Sequence, residues 1–158
     1  MKFKKTLILS ALLLIFSCAS ARAGSSLQVR PQGGIGFLSG TTYSHAGLRV
    51  LLPAGDYQKY GLEVSHLNIL DGSDESTAIG IVLEQRLWEW FNMSIGTIGY
   101  FGYAERTGNP VGLVTNLGWE PQMKSDWEPF VTYRNDIIFA TKIATGSAIS
   151  VGVSYKFQ

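Results

Sequence analysis

The chain has 158 residues, 46% hydrophobic, 12% aromatic and 16% charged, with a formal net charge of +1, which is one domain's worth of polypeptide with room for a substantial core. Lys2, Lys4, Lys5 and Arg22 lie in the first 23 residues, which hold no acid, and the remainder sets nine Lys and Arg against twelve Asp and Glu; a mildly acidic body without a basic run argues against nucleic-acid binding. All 18 glycines follow residue 23, a density that does not suit a helical bundle.

Residues 1–23 read as a signal peptide. Met1 to Lys5 is cationic, Leu7 to Phe16 is an apolar run too short for a retained membrane anchor, and Ala21-Arg22-Ala23 gives the small-x-small cleavage pattern before Gly24. Residues 24–158 then form one barrel domain. Cys18, the single cysteine, follows Ile15-Phe16-Ser17, which resembles a lipoprotein processing box and offers lipidation of Cys18 as an alternative to its removal. Cleavage after Ala23 leaves no cysteine, hence no disulfide and no thiol chemistry.

Beyond Gly24 the apolar residues alternate with period two, and no window sustains a helical period. Strands are expected at about 27–38, 45–53, 60–70, 77–88, 92–104, 111–120 and 127–139, with an eighth at the C-terminus, where Ile149, Val151, Val153, Tyr155 and Phe157 share one face. Turn chemistry separates them: Ser39-Gly40-Thr41, Pro53 to Asp56, Asp71 to Asp74, Thr107 to Pro110, Pro121 to Lys124 and Thr145-Gly146-Ser147. The expected exposed loops are short, about six to eight residues. Eight consecutive strands with short links predict an all-β fold, an eight-stranded antiparallel up-and-down barrel.

Charge placement predicts which way the barrel faces. Arg30, Arg49, Glu63, Glu84, Arg86, Glu120, Glu128, Arg134 and Asp136 fall on the polar faces of the strands, whereas Lys59, Lys124, Lys142 and Lys156 sit at strand ends or in breaks. Arginine keeps its charge and forks onto carboxylates, which suits a confined ion-pair network. An inward network implies an apolar outer wall and a transmembrane barrel. A solvated polar wall, as in a secreted soluble barrel that binds a small apolar ligand, is the alternative. With a periplasmic N-terminus, Trp88, Trp119 and Trp127 lie at periplasmic strand ends and Trp90 in the adjoining turn, as an interface girdle requires; Phe37, Tyr43, Phe101, Tyr103 and Phe139 would form the opposite girdle.

In this layout the chain resembles the small eight-stranded outer-membrane barrels of Gram-negative bacteria. The terminal strand, Ile149 to Phe157, is similar to the signal such proteins present to the barrel insertion machinery, although Gln158 follows the terminal aromatic. Pro129 to Asp136 is also similar in layout to the penultimate strand of the outer-membrane lipid A deacylases. Where that family's His-x-Ser pair stands, this chain has Asn135-Asp136-Ile137, so neither base nor nucleophile carries over.

No other constellation specifies catalysis. Ser44 and His45 are neighbours and point to opposite faces of a strand; His45 could meet Asp71, Asp74 or Glu75 at the outer rim, and His66 could face lumen or lipid. Two histidines without cysteine make no zinc signature, the 71–75 segment lacks the spacing of a calcium loop, and Gly33-Gly34-Ile35-Gly36 lies in a strand. The sequence therefore assigns no catalytic residue, metal or cofactor. It points to an outer-membrane barrel with a structural, envelope-maintenance or surface-interaction role, with a deacylase-like lipid-modifying enzyme or inactive relative as alternative. Its expected partners are outer-membrane lipid, lipopolysaccharide and the insertion machinery, with no nucleic acid.

Overall fold

The computed structural model describes residues 27–70, 72, 74–103 and 108–157. The expected signal segment, Cys18, Asp71 and Gln158 lie outside them. The chain forms β1 (Gln28–Leu38), β2 (Thr41–Pro53), β3 (Gln58–Ile69), β4 (Glu75–Trp88), β5 (Phe91–Phe101), β6 (Val111–Trp119), β7 (Trp127–Phe139) and β8 (Ile143–Lys156). Each strand pairs antiparallel with the next, and β1 pairs with β8 to close the barrel.

Two strand starts differ from expectation. β2 begins at Thr41 instead of 45, because Ser39 (φ 50°) and Gly40 (φ 91°) make the two-residue turn with two positive φ angles that matches strand twist. β8 begins at Ile143, and Thr145-Gly146-Ser147, expected as a break, pairs with Ile137, Asp136 and Asn135. Gly146 is tolerated there because its missing side chain leaves room for Leu38 inside the barrel. The connections at the β1–β2 end span residues 39–40, 70–74, 102–110 and 140–142, so only one is as long as expected. This end is termed the loop end; the opposite, turn end carries residues 54–57, 89–90 and 120–126 and the two ends of the described chain.

The register fixes the barrel's dimensions. Stepping across paired residues from Val29 through Val50, Leu62, Ile81, Thr97, Leu113, Ile137 and Thr145 returns to β1 opposite Ser39, ten residues from the start. A shear of ten over eight strands tilts them by about 40° and makes each residue rise about 2.5 Å along the axis. Correcting for that tilt places Gly33, Gly47, Ile81, Gly96, Thr115 and Ser150 at one level, the middle of each strand.

Such a barrel is too narrow for a large side chain at every inward position. Gly34, Gly36, Gly47, Gly61, Gly80, Gly96, Gly112, Gly118, Gly146 and Gly152 all fall on the inward parity of their strands. A Cβ at Gly152 would lie 2.5 Å from the Phe130 ring, and one at Gly112 2.9 Å from the Tyr100 ring. The chain's glycine richness is thus the space that its large inward residues occupy.

Candidate functional site: a charged lumen inside an apolar wall

The lumen has two layers. Toward the loop end it is packed by Leu38, Tyr43, Leu67, Ile98, Tyr100 and Ile138, all buried. Toward the turn end it is ionic. Arg30, only 2% exposed, bridges Glu84 (Nη1–Oε2 2.6 Å) and Glu120 (Nη2–Oε2 2.5 Å), and its guanidinium lies 5.6 Å from the Phe130 ring centre. Arg49 donates to Glu63 at 2.5 Å, and Arg134 spans the other oxygen of Glu63 and Asp136, donating from Nε at 2.7 Å and from Nη2 at 2.8 Å to the latter. Tyr100 donates its hydroxyl to Asp136 at 2.6 Å, stitching the two layers together.

Two cations reach this network that the sequence reading left at the strand ends. Lys59 lies 3.7 Å from Glu84 and donates to Gln28 Oε1 at 2.6 Å, and Lys156 pairs with Glu128 at 2.6 Å. Both share the inward parity of their strands, the signal by which they could have been found. Arg86 is the reverse case. It faces the turn-end mouth, partly exposed, beside a cavity of about 100 Å³ shared with Lys59, Glu84 and Glu120, and takes part in none of the ion pairs among the described residues. A register shift between Arg86, which pairs with Asn92, and Trp88, which pairs with Phe91, leaves Leu87 without a partner on β5 and bulges this end of β4. Arg30, Arg49, Lys59, Arg134 and Lys156 therefore face Glu63, Glu84, Glu120, Glu128 and Asp136, five charges of each sign.

The histidines also settle differently. His45 points inward on the same parity as Arg49, away from Asp74 and Glu75, and its Nε2 lies 2.7 Å from Ser150 Oγ. Both are at most 5% exposed, so this serine–histidine pair is walled off from anything outside the barrel. The Tyr43 hydroxyl and His45 Nδ1 are buried without a hydrogen-bond partner. Tyr43, expected in a surface girdle, is 1% exposed: an even spacing from Arg49 turns it inward. His66 faces outward instead, 3.7 Å from Glu75. No group of three or more His, Cys, Asp or Glu among the described residues could hold a metal ion.

The outside is the converse of the lumen. Ile35, Phe37, Ile81, Ile95, Val111, Leu117, Ile149 and Val151 are exposed on the wall. Trp88, Trp90, Trp119 and Trp127 are exposed at the turn end, and Phe101 and Phe139 near the loop end with Phe37. Across β7 and β8 the rings of Trp127 and Tyr155 stand 4.5 Å apart, and those of Tyr155 and Phe157, just past the end of β8, 4.6 Å apart. The loop end carries a cavity of about 210 Å³ lined by Leu38, Leu67, Ile69, Asp74, Glu75 and Tyr103, among others.

No protein-family model matches this chain, and no curated protein does. Among solved structures it is similar to Neisserial surface protein A, an eight-stranded outer-membrane barrel, with a TM-score of 0.64 and 12% identity over 85% of this chain and 98% of that one. It is also similar to a de novo designed transmembrane β-barrel, with a TM-score of 0.51 and 11% identity over 86% of this chain and 98% of the design. The fold is that of the small transmembrane barrels: closed, eight-stranded, antiparallel throughout.

Proposed function

We propose that the chain is an integral outer-membrane protein with a side-chain-filled lumen, serving a structural, envelope-maintenance or surface-interaction role instead of general diffusion. The observation that carries this reading is the pairing of an exposed apolar wall with a buried, charge-balanced interior. A soluble protein would associate through such a wall, whereas hydrocarbon solvates it and the closed backbone ladder leaves no unpaired strand edge. Exposed Trp at the turn end and Phe at the loop end bound this wall as interface girdles. Residues 1–23 serve as the export signal, and Ile149, Val151, Val153, Tyr155 and Phe157 as the strand read by the insertion machinery. The lipids contacted are those of the outer membrane, lipopolysaccharide included.

Fractionation tests this directly. The protein should be recovered with outer membranes, and its folded form should migrate differently from the boiled form on a detergent gel. Recovery in the soluble periplasmic fraction would overturn the proposal in favour of the soluble ligand-binding barrel.

A further inference from the structure

The turn-end mouth of the lumen holds one positive charge more than its carboxylates balance. Five cations face five carboxylates inside the barrel, and Arg86, on the inward parity of β4 with Glu84, is a sixth cation. Its guanidinium enters no ion pair or side-chain hydrogen bond among the described residues. An arginine side chain carries five N–H donors in a planar fork that matches an oxyanion.

The cavity beside it holds about 100 Å³, space for about three waters or one small oxyanion. Its donors and acceptors are unequally used. Oε2 of Glu84 and Oε2 of Glu120 accept from Arg30 at 2.6 and 2.5 Å; Glu120 also accepts from Asn92 Nδ2 and, on Oε1, from Gln28, both at 3.1 Å. Lys59 gives one of its hydrogens to Gln28 Oε1 at 2.6 Å and stands 3.7 Å from Glu84, so donors remain on it, as one does on the Asn92 amide. Arg86, Lys59 and Asn92 thus bring unspent donors to a space whose buried carboxylates are already engaged. The remaining carboxylate on the cavity, Asp56, is exposed and enters no ion pair among the described residues.

The surroundings are fixed in advance. The turn of residues 54–57, which lines the cavity, is closed by Ala54 N donating to Gln58 O at 2.9 Å and tied to β4 by Arg86 N donating to Tyr57 O at 2.8 Å. Arg86 and Asn92 are partners across the β4–β5 ladder.

We propose that this mouth binds one oxyanion, a phosphate or a carboxylate, between Arg86 and Lys59, with Asn92 as a further donor. The guanidinium supplies forked hydrogen bonds and the ammonium a point charge. A single bound negative charge brings the inward-facing groups to neutrality, whereas a cation would meet Arg86 and Lys59 with only Asp56 to hold it. The site lies inside the mouth, so it does not depend on what solvates the outer wall and stands apart from the membrane reading.

Calorimetric titration of the folded protein in non-ionic detergent at low salt, with inorganic phosphate, tests the site. One saturable site is expected. Arg86→Gln should weaken it about tenfold and Arg86→Lys less, each variant being checked for folding by its gel shift. Asp56→Asn should strengthen binding several-fold by removing a like charge, and Lys124→Gln, outside the cavity lining, should leave it unchanged. Titration with a short-chain phosphatidylglycerol separates the sources of the anion: the site takes a lipid headgroup if this ligand binds more tightly than phosphate, and a free solute if it binds less tightly. Absence of saturable binding of either ligand, or equal affinity in the Arg86→Gln variant, would overturn the proposal. So would phosphate binding that appears only in Asp56→Asn, because Asp56 would then be the anion that Arg86 holds.

Discussion

At the scale of single residues, Arg134 and Arg86 carry the same charge on the same face of the barrel and should behave differently. Arg134 is 2% exposed between Glu63 and Asp136, so Arg134→Ala leaves Asp136 buried without a cation and Glu63 with Arg49 alone, at a cost of about 3 to 5 kcal/mol. Arg86 is partly exposed at the mouth, where water replaces its contacts, and Arg86→Ala should cost clearly less. Lys124→Ala, in an exposed turn, should leave stability unchanged within error. Urea unfolding of the folded protein in detergent gives this ranking; equal midpoints for the Arg134 and Lys124 variants would contradict the buried network. Most of the network was legible in the sequence because an inward charge repeats at even spacing, as from Glu128 to Arg134 to Asp136. Tyr43 and His45 were misplaced because the expected second strand began at 45, so the parity of Arg49 was not carried outward to them. Lys59 and Lys156 were missed for a related reason: a lysine at a strand end looks solvated until the neighbouring strands place a carboxylate within its reach.

Among the strands, the packing of large residues against glycines makes neighbouring positions interdependent. Gly152 on β8 leaves the space for Phe130 on β7, and that ring supports Arg30 on β1. Gly152→Ala would bring a methyl group within 2.5 Å of the ring, and overpacking of this kind costs about 1 to 3 kcal/mol. Combining it with Phe130→Leu should recover part of that loss, so the two changes will not add; strict additivity in urea unfolding would show that the ring does not depend on the glycine. Where β7 and β8 meet at the turn end, Trp127, Tyr155 and Phe157 form one aromatic row. Phe157→Asp should therefore reduce the amount of folded protein in outer membranes several-fold, which gel-shift assay of the membrane fraction will measure. Strand number and order followed from alternation and turn residues alone. The loop-end limits of β2 and β8 did not, because Gly146 reads locally as a turn and only the position of Leu38 on another strand shows that it is a packing residue.

For the whole molecule, the two stacked layers of the lumen close the barrel by different means. An apolar plug has no place for an ion, and a charge-balanced plug holds its side chains by mutual attraction. In a planar lipid bilayer the folded protein should give no steady ion conductance above background. Sustained open steps would show that the lumen admits a water column, and the cost assigned to Arg134→Ala would then fall with it.

The lengths of the loop-end connections have a consequence for intact cells. A protease cuts a folded substrate where a stretch of chain can be drawn away from the body into its cleft. Residues 39–40 and 140–142 are held between paired strands on both sides and offer no such slack, even though Lys142 is a tryptic site. Residues 102–110 form the longest loop-end connection, and Arg106 lies within it. Trypsin added to whole cells should therefore nick the chain once, after Arg106, and leave Lys142 intact. The two pieces should remain joined as a single folded species until boiled, with five strands, β1 to β5, before the cut and three, β6 to β8, after it, held together only through the barrel's own hydrogen bonds.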